Sequence, residues 1–266
     1  VLSYGYLYES RIMRVVDNKA KPIYESSNQI GQLIVRGDLM YFVGQMNGKN
    51  QIWKMTETEL TALTNFSEYE RIRSLSLSKD GSKIVFLVGN RIALLNIESN
   101  EVITLDNEFD MIKDVVWECD SERILFTTKV NGVWLLNKSG SLSSSLSYEN
   151  IMKDIYRVQT DCQSGLVALS GNSSQIKVTD FENITYEIDT GKYLSDLNWK
   201  LIGQDIYFTE KGRLYMFAKD RGEQEVIFDG ESKMNSFDIY NGEIYFSDRT
   251  IGDNKLVVFK GVNVTY

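Results

Sequence analysis

Histidine is absent from the 266 residues of this chain, and its absence narrows the chemistry that the protein can perform. Histidine is the commonest general base and the commonest metal ligand in proteins. Serine–histidine catalysis, cysteine–histidine catalysis and imidazole-ligated zinc are therefore excluded within this chain. No spacing among the carboxylates singles out an acid–base pair. We expect no catalytic residue, no metal and no cofactor.

Three charged residues occupy the same position in consecutive repeats of the sequence. Asp114, Arg157 and Asp196 each lie three residues before the position held by tryptophan in two of the repeats, and Ser74 lies there in the repeat before them. If these residues face a central channel, a cation stands between two carboxylates. This arrangement predicts a polar ligand-binding site at the channel mouth. The alternative is a solvated or inter-repeat ion pair, worth about 0–1 kcal/mol if it is exposed.

The only cysteines, Cys119 and Cys162, also occupy equivalent positions in adjacent repeats. Each lies four residues before a predicted second strand, which begins at Arg123 and at Leu166. A disulfide between them requires Cα atoms roughly 4.4–6.8 Å apart, which neighbouring repeats permit. Two independent free cysteines are the alternative. Neither is expected to act as a nucleophile, because no histidine is present to activate it.

The repeat that positions these residues has a period near forty. An apolar segment suited to an inner strand recurs seven times, and its starting points are separated by 40, 40, 41, 43, 38 and 41 residues. The copies are Arg11–Val16, Gln51–Thr56, Arg91–Ile97, Gly132–Lys138, Gln175–Phe181, Arg213–Lys219 and Asn254–Lys260. This period, with several short strands in each unit, is typical of a β-propeller.

The clearest unit is Arg71–Leu105, which divides into four short strands. Ser74–Ser78 alternates with period two, Lys83–Val88 and Arg91–Ile97 are nearly continuous apolar runs, and Glu101–Leu105 follows a turn. Apolar middle strands indicate a blade that is covered on both faces by its neighbours. In the later unit around Met111–Lys138, the polar segment 140–147 is predicted to be the outer strand.

The chain is therefore predicted to be all-β, a single β-propeller domain over residues 1–266 with four-stranded antiparallel blades. Seven blades are favoured, and six with an irregular N-terminal strand is the alternative. The N-terminal unit lacks an innermost strand, so the ring is expected to close with a strand from the other terminus. Residues 262–266 could fill that place, or could end the seventh blade while the missing strand lies upstream of Val1.

Composition limits the partners of such a domain. The net charge of −8 argues against sequence-independent nucleic-acid binding, which depends on Lys and Arg neutralising phosphates. No apolar run approaches the roughly 18 residues of a membrane span, and no signal peptide is evident. Any membrane attachment is expected to come from a segment outside these residues.

Two stretches of the sequence resemble the PD40 repeat of TolB-like propellers. Residues 77–86, Leu-Ser-Lys-Asp-Gly-Ser-Lys-Ile-Val-Phe, are similar to the core of that repeat, with lysine in place of its usual proline. Gln51–Met55 and Leu60–Phe66 are similar to its continuation, and Trp117 and Trp199 occupy its tryptophan position. The resemblance implies a propeller fold.

Propellers of this length also resemble the periplasmic sensory domains of membrane-anchored winged-helix regulators, similar in layout to the CadC and ToxR group. The resemblance thus implies a non-catalytic periplasmic module that binds a protein or a small ligand at its loops or channel mouth. One alternative is an accessory domain of a hydrolase or peptidase. Another is a free TolB-like interaction protein.

Overall fold

The structure, a computed structural model, describes residues 3–5, 8–67, 70–142, 146–191, 198–219, 222–230, 234–251 and 257–259. Their regular structure consists of β-strands, and no helix in this part of the chain is long and apolar enough to cross a membrane. The strands form six four-stranded antiparallel sheets and one two-stranded sheet. The all-β propeller of four-stranded blades is therefore confirmed.

Five of the six blades consist of four consecutive strands, each pairing with the next. Blade 1 contains β4 (Ile30–Arg36), β5 (Leu39–Met46), β6 (Lys49–Met55) and β7 (Leu60–Ala62). Blade 2 contains β8 (Ile72–Leu77), β9 (Lys83–Val88), β10 (Arg91–Asn96) and β11 (Val102–Glu108). Blade 3 contains β12 (Ile112–Trp117), β13 (Ile124–Val130), β14 (Val133–Ser139) and β15 (Tyr148–Lys153). Blade 4 contains β16 (Arg157–Asp161), β17 (Leu166–Ser170), β18 (Gln175–Thr179) and β19 (Ile184–Asp189). Blade 5 contains β20 (Asn198–Ile202), β21 (Asp205–Glu210), β22 (Arg213–Ala218) and β23 (Glu223–Asp229).

Blade 6 joins the two ends of the chain and closes the ring. Its inner strands β24 (Met234–Tyr240) and β25 (Glu243–Ile251) come from the C-terminal region, and its outer strands β2 (Tyr8–Val16) and β3 (Lys19–Ser26) come from the N-terminal region. β25 pairs with β2 over seven residue pairs, from Tyr8 to Arg14. The innermost strands β4, β8, β12, β16 and β20 each contact the next, and β20 and β4 both contact β24.

The prediction of seven blades is wrong, because it counted the closing blade twice. The first apolar copy, now β2, and the C-terminal hairpin β24–β25 belong to one sheet, which a count along the chain cannot reveal. In the region of the seventh copy, β26 (Val257–Phe259) pairs with β1 (Ser3–Gly5) in a separate two-stranded sheet. Residues 254–256 and 260–266, including the segment proposed to close the ring, lie outside the described residues.

Local turn chemistry explains why the C-terminal hairpin forms. Asn241 and Gly242 connect β24 to β25 with φ values of 51° and 79°. A two-residue turn with positive φ at both positions matches the twist of an antiparallel pair, and Asn-Gly is its preferred sequence.

The outer strand of blade 3 was predicted wrongly: it is β15, which follows the segment 140–147.

The hydrophobic core is divided among the six junctions between blades. Each junction contains one cluster of buried apolar side chains drawn from both of its blades. Trp117 and Trp199, the largest fully buried side chains, belong to the blade 2–3 and blade 4–5 clusters. Since the apolar faces are buried only between blades, blade-on-blade contact supplies most of the hydrophobic stabilisation.

Candidate functional site

The innermost strands carry a polar residue at one shared register position. Asp114, Arg157, Asn198 and Ser236 each pair with a buried threonine or serine of the second strand of the same blade. In blades 1 and 2 the corresponding residues are Gln32 and Ser74, which directly precede Leu33 and Leu75. We call this set the channel belt: Gln32, Ser74, Asp114, Arg157, Asn198 and Ser236.

The channel belt satisfies backbone N–H groups that the innermost strands would otherwise leave unpaired. The inner edge of each blade faces the channel and has no neighbouring strand, so its N–H groups need other acceptors. Four belt side chains accept such a bond from the next blade: Ser236 Oγ from Leu33 N–H (3.1 Å), Gln32 Oε1 from Leu75 N–H (2.8 Å), Ser74 Oγ from Val115 N–H (2.8 Å) and Asp114 Oδ2 from Val158 N–H (3.4 Å). The belt therefore links blades 6, 1, 2, 3 and 4 in one direction around the ring.

Asp114 is the most heavily engaged member of the belt. Its carboxylate is buried and accepts a hydrogen bond from the Ser74 hydroxyl as well as from the Val158 N–H. Arg157 Nε lies 3.6 Å from Asp114 Oδ2. Asp114 thus joins three consecutive blades through one side chain.

Arg157 cannot accept a backbone hydrogen bond from the next blade as the four other belt side chains do, because a guanidinium donates hydrogen bonds but cannot accept one. Its Cζ atom lies 5.2 Å from the centroid of the Trp199 ring in blade 5, within the range of a cation–π contact. The structure therefore brings together two of the three predicted site residues, Asp114 and Arg157, as a half-buried ion pair across a blade junction.

The third predicted site residue, Asp196, lies outside the described residues. The fifth position of the belt is held by Asn198, which pairs with Thr209. Trp199 pairs with Phe208, as Val115 pairs with Phe126, so Trp199 is not the register equivalent of Trp117. Counting back from the two tryptophans therefore misaligned blades 3 and 5 by two residues.

Cys119 and Cys162 lie at the junction between blades 3 and 4, on the face of the ring where the innermost strands end. Each follows an innermost strand, and the structure joins them in a disulfide with a Cα–Cα distance of 4.9 Å. The bridge spans 43 residues of sequence and links blade 3 to blade 4. The sequence left this bridge and two free cysteines open as alternatives, and the structure has the bridge.

An aromatic pair lies above Asp114 and Arg157, on the face where the innermost strands begin. We call this the top face. It also carries the turns between the second and third strands. The ring of Trp134 in blade 3 meets that of Tyr156 in blade 4 edge-on, with centroids 4.9 Å apart. Lys113 Nζ lies 4.7 Å from the Tyr156 centroid, and Lys129 Nζ lies 5.8 Å from that of Trp134. Two ammonium groups and two rings thus form one contiguous surface.

A guanidinium from blade 2 extends this surface toward the channel. Arg73 donates to the carbonyls of Ile112 (2.8 Å), Lys113 (3.2 Å) and Gly89 (3.0 Å). Burial lowers the pKa of Arg73, and the nearby Arg71 lowers it further. Backbone carbonyls therefore hold a half-buried cation at the mouth, beside the aromatic pair.

These top-face residues were not predicted as a site. Trp134 belongs to the third strand of blade 3, near its top-face end. The sequence does contain one signal for a surface site here, because Val130 and Val133 flank the Asn-Gly turn of blade 3. Apolar residues are unusual beside a solvent-exposed hairpin turn.

Two grooves on the bottom face are further concave surfaces. A groove of about 600 Å³ between blades 2 and 3 is lined by Leu94, Ile103 and Arg123, among others. A groove of about 490 Å³ between blades 6 and 1 is lined by Tyr24 and Tyr245 among others, with carboxylates at its rim. Among the described residues, no group of three His, Cys, Asp or Glu side chains could hold a metal ion.

Comparison with solved structures identifies the architecture. The chain is similar to a chain in the crystal structure of a nidogen/laminin complex, with a TM-score of 0.63 and 10% identity over 82% of this chain and 93% of that one. It is also similar to TolB from Acinetobacter baumannii, with a TM-score of 0.62 and 14% identity over 85% of this chain and 66% of TolB. At these identities the likeness shows the β-propeller fold alone. No protein-family model and no curated protein matches the sequence.

Proposed function

We propose that this chain is a non-catalytic recognition domain that binds a protein partner on its top face, at the mouth of the channel. The observation that carries the proposal is the gathering of Arg73, Lys113, Trp134 and Tyr156 around the half-buried Asp114–Arg157 pair. A rigid ring holds these side chains at fixed spacings, and propellers use their surface loops for recognition. A small ligand at the same mouth is the second candidate.

The similar folds are compatible with a role in protein binding. One of them belongs to a crystal structure of a complex between nidogen and laminin. The lack of histidine supports a domain without catalytic activity, and the acidic composition does not favour nucleic acid as a ligand.

A location outside the cytoplasm is part of the proposal. The disulfide between Cys119 and Cys162 supports it, because disulfides persist in oxidising compartments and are rare in the cytosol. The finer proposal is the sensory domain of a membrane-anchored transcriptional regulator resembling the CadC and ToxR group. An accessory domain of a hydrolase or peptidase, or a free TolB-like periplasmic protein, is the alternative.

The proposal is tested by cross-linking in the source cell. A photoreactive amino acid replaces Lys113 at the mouth in one variant and Glu187 on the outer strand of blade 4 in a matched control. We expect a defined covalent adduct with one protein from position 113 and none from position 187. Equal adducts from both positions, or none from either, would contradict protein recognition at the mouth.

The finer proposal is tested by the coding sequence on both sides of these residues. A transmembrane helix preceded by a winged-helix domain supports the regulator. A hydrolase domain encoded beside the propeller would instead favour the accessory role, and a signal peptide directly before Val1 would favour the free protein.

A further inference from the structure

Four of the eleven large apolar side chains that are exposed among the described residues lie together on one end of one blade. Among the described residues, the large apolar side chains exposed at the top ends of strands all belong to blade 3. They are Met111 (48% exposed), Val130 (50%), Val133 (40%) and Met152 (38%), contributed by the four strands or by the residue that directly precedes one. Where the structure describes side-chain exposure at the top ends of the other blades, the exposed residues are polar residues and small turn residues.

Three lysines lie on the same end of blade 3. Lys113 is the extra residue of a β-bulge between Ile112 and Asp114, and this bulge directs its ammonium group over Tyr156. Lys129 pairs with Trp134 across the hairpin, and Lys153 ends the outer strand. Together with Trp134 these residues make an apolar and aromatic surface with a cationic rim, which we call the blade 3 platform.

The charge of the platform is opposite to that of the molecule. The whole chain carries a net charge of −8, whereas the platform carries three lysines, with Arg73 beside it. The carboxylates nearest in sequence are the exposed Asp110 and Asp154 and the buried Asp114, which is paired with Arg157. A surface of this kind attracts carboxylates and accepts apolar side chains, and such complementarity raises both association rate and specificity.

We infer that the blade 3 platform is the docking surface for an acidic segment of a partner protein, one that carries apolar or aromatic side chains between its carboxylates. The inference rests on the proposed function and names the chemistry of the partner. The lysines select the carboxylates, and Trp134, Val130 and Val133 bury the apolar side chains. A polyanion without apolar groups leaves those valines and methionines exposed to water, so it meets only half of the platform.

The first test uses a random copolymer of glutamate and tyrosine as the probe. The full chain is titrated with this copolymer, with polyglutamate and with a lysine–tyrosine copolymer at low ionic strength. We expect binding of the glutamate–tyrosine copolymer, weaker binding of polyglutamate, and no binding of the lysine–tyrosine copolymer. Equal binding of polyglutamate and the glutamate–tyrosine copolymer would overturn the inference, because the apolar half of the platform would then contribute nothing.

Paired variants locate the site. Lys113→Glu/Lys129→Glu is compared with Lys49→Glu/Lys211→Glu, which makes the same change of charge beside the top-face hairpins of blades 1 and 5. We expect the platform variant to bind the copolymer at least about tenfold more weakly and the control variant to stay within about twofold of the unmodified chain. Similar losses in both variants would show an effect of net charge alone, and that result would overturn the inference.

A third variant separates packing from charge. Val133→Ser removes apolar surface without changing the charge, so it is expected to reduce binding of the glutamate–tyrosine copolymer and to leave polyglutamate binding unchanged. Because Val133 is 40% exposed, the fold should tolerate serine there, and an unchanged melting temperature verifies this. If Val133→Ser changes neither affinity, the apolar part of the docking surface is disproved.

Other occupants have distinct outcomes. Tighter binding of heparin or of phosphatidylglycerol vesicles than of the copolymer, with the same sensitivity to Lys113→Glu/Lys129→Glu, would replace the acidic segment with a polysaccharide or a membrane. A concentration-dependent dimer that these lysine substitutions abolish would replace it with a second copy of the chain. If the cross-link from position 113 forms but the copolymer results fail, the proposed function stands and this inference alone fails.

Discussion

The junction between blades 3 and 4 and the closing blade 6 both maintain the ring, but they do so by different means. At the first, a disulfide and the half-buried Asp114–Arg157 pair reinforce an apolar cluster. At the second, two ends of the chain are held by the non-covalent ladder between β25 and β2. The first junction also carries the proposed recognition surface. Its reinforcement fixes the geometry of the site, whereas the ladder of blade 6 keeps the whole ring closed.

A single substitution in the β25–β2 ladder of blade 6 should cause the largest loss of stability. β2 is a central strand, with β25 on one side and β3 on the other, so its backbone N–H groups are used in the sheet. Proline at Ile12 removes such a bond from a central strand, and proline is found in sheets essentially only on edge strands or at bulges. We expect Ile12→Pro to abolish the cooperative thermal transition seen by circular dichroism.

Ile12→Val is the matched control for this substitution, because it keeps the N–H and removes only one buried carbon, at a cost of about 1 kcal/mol. The single natural proline, Pro22, lies in β3, the outer edge strand of the same blade, where its missing N–H is tolerated. A melting curve for Ile12→Pro that matches the one for Ile12→Val would show that β2 is not needed to close the ring.

The disulfide should provide the next largest effect. Cys119 and Cys162 enclose 43 residues, and the chain-entropy model assigns such a cross-link about 4 kcal/mol. We expect Cys119→Ser/Cys162→Ser to lower the free energy of unfolding by about that amount or somewhat less, measured by denaturant titration. The unmodified chain in reductant should match the double variant. A titration that finds two free thiols in the unreduced protein would contradict the bridge.

The fold was largely accessible from the sequence because its signal is local. The period near forty, the apolar middle strands and the Asn241–Gly242 turn all depend on neighbouring residues. The number of blades was not accessible in the same way. It depends on the pairing of Arg11 with Asp248, two residues 237 positions apart, and no local pattern records such a contact.

The site was predicted less completely, for a related reason. Asp114 and Arg157 were found because both lie on clearly repeated strands. Register assigned from Trp199 failed, because a tryptophan can occupy either of two alternate positions on an innermost strand and still be buried. Trp134 and Tyr156 were missed because their meeting depends on how two neighbouring blades pack, and each residue alone suits a buried strand.

The ion pair between Asp114 and Arg157 allows the reinforcement of the blade 3–4 junction to be measured. Asp114→Asn leaves Arg157 half-buried beside a neutral amide, although the amide oxygen can still accept from the Val158 N–H. We expect a loss of about 3 kcal/mol in the free energy of unfolding, the lower end of the range for breaking a buried pair, because Arg157 loses the carboxylate but keeps some exposure to solvent.

A double-mutant cycle with Arg157→Gln isolates the interaction from the other contacts of each side chain. Asp229→Asn supplies the comparison, because both its side chain and that of its partner Arg213 are at least half exposed, so solvent screens the pair and its coupling should be the smaller of the two. If the coupling between Asp114 and Arg157 is no larger than that between Asp229 and Arg213, the belt does not reinforce this junction.

The smallest effect is expected from the exposed ion pair at the bottom of the closing blade. Glu243 accepts hydrogen bonds from Arg14 of β2 and from the hydroxyl of Tyr245. The Arg14 hydrogen bond, and then that of Tyr245, lower the pKa of Glu243 below its ordinary value of 4.5. A carboxylate with a lowered pKa stabilises the folded state above the unfolded-state value and loses that contribution as the pH falls through the folded-state value.

Glu243→Gln should therefore cost less than about 1 kcal/mol at pH 7, because both side chains are about two-fifths exposed and solvent screens them. The difference in melting temperature between the variant and the unmodified chain should shrink as the pH is lowered from 7 through 4.5. A difference that persists unchanged at low pH would assign the effect to packing of Tyr245 rather than to charge. In that case the contact between Arg14 and Glu243 would stabilise blade 6 without a contribution from charge. Blade 6 would then differ more clearly from the blade 3–4 junction, which contains the Asp114–Arg157 ion pair.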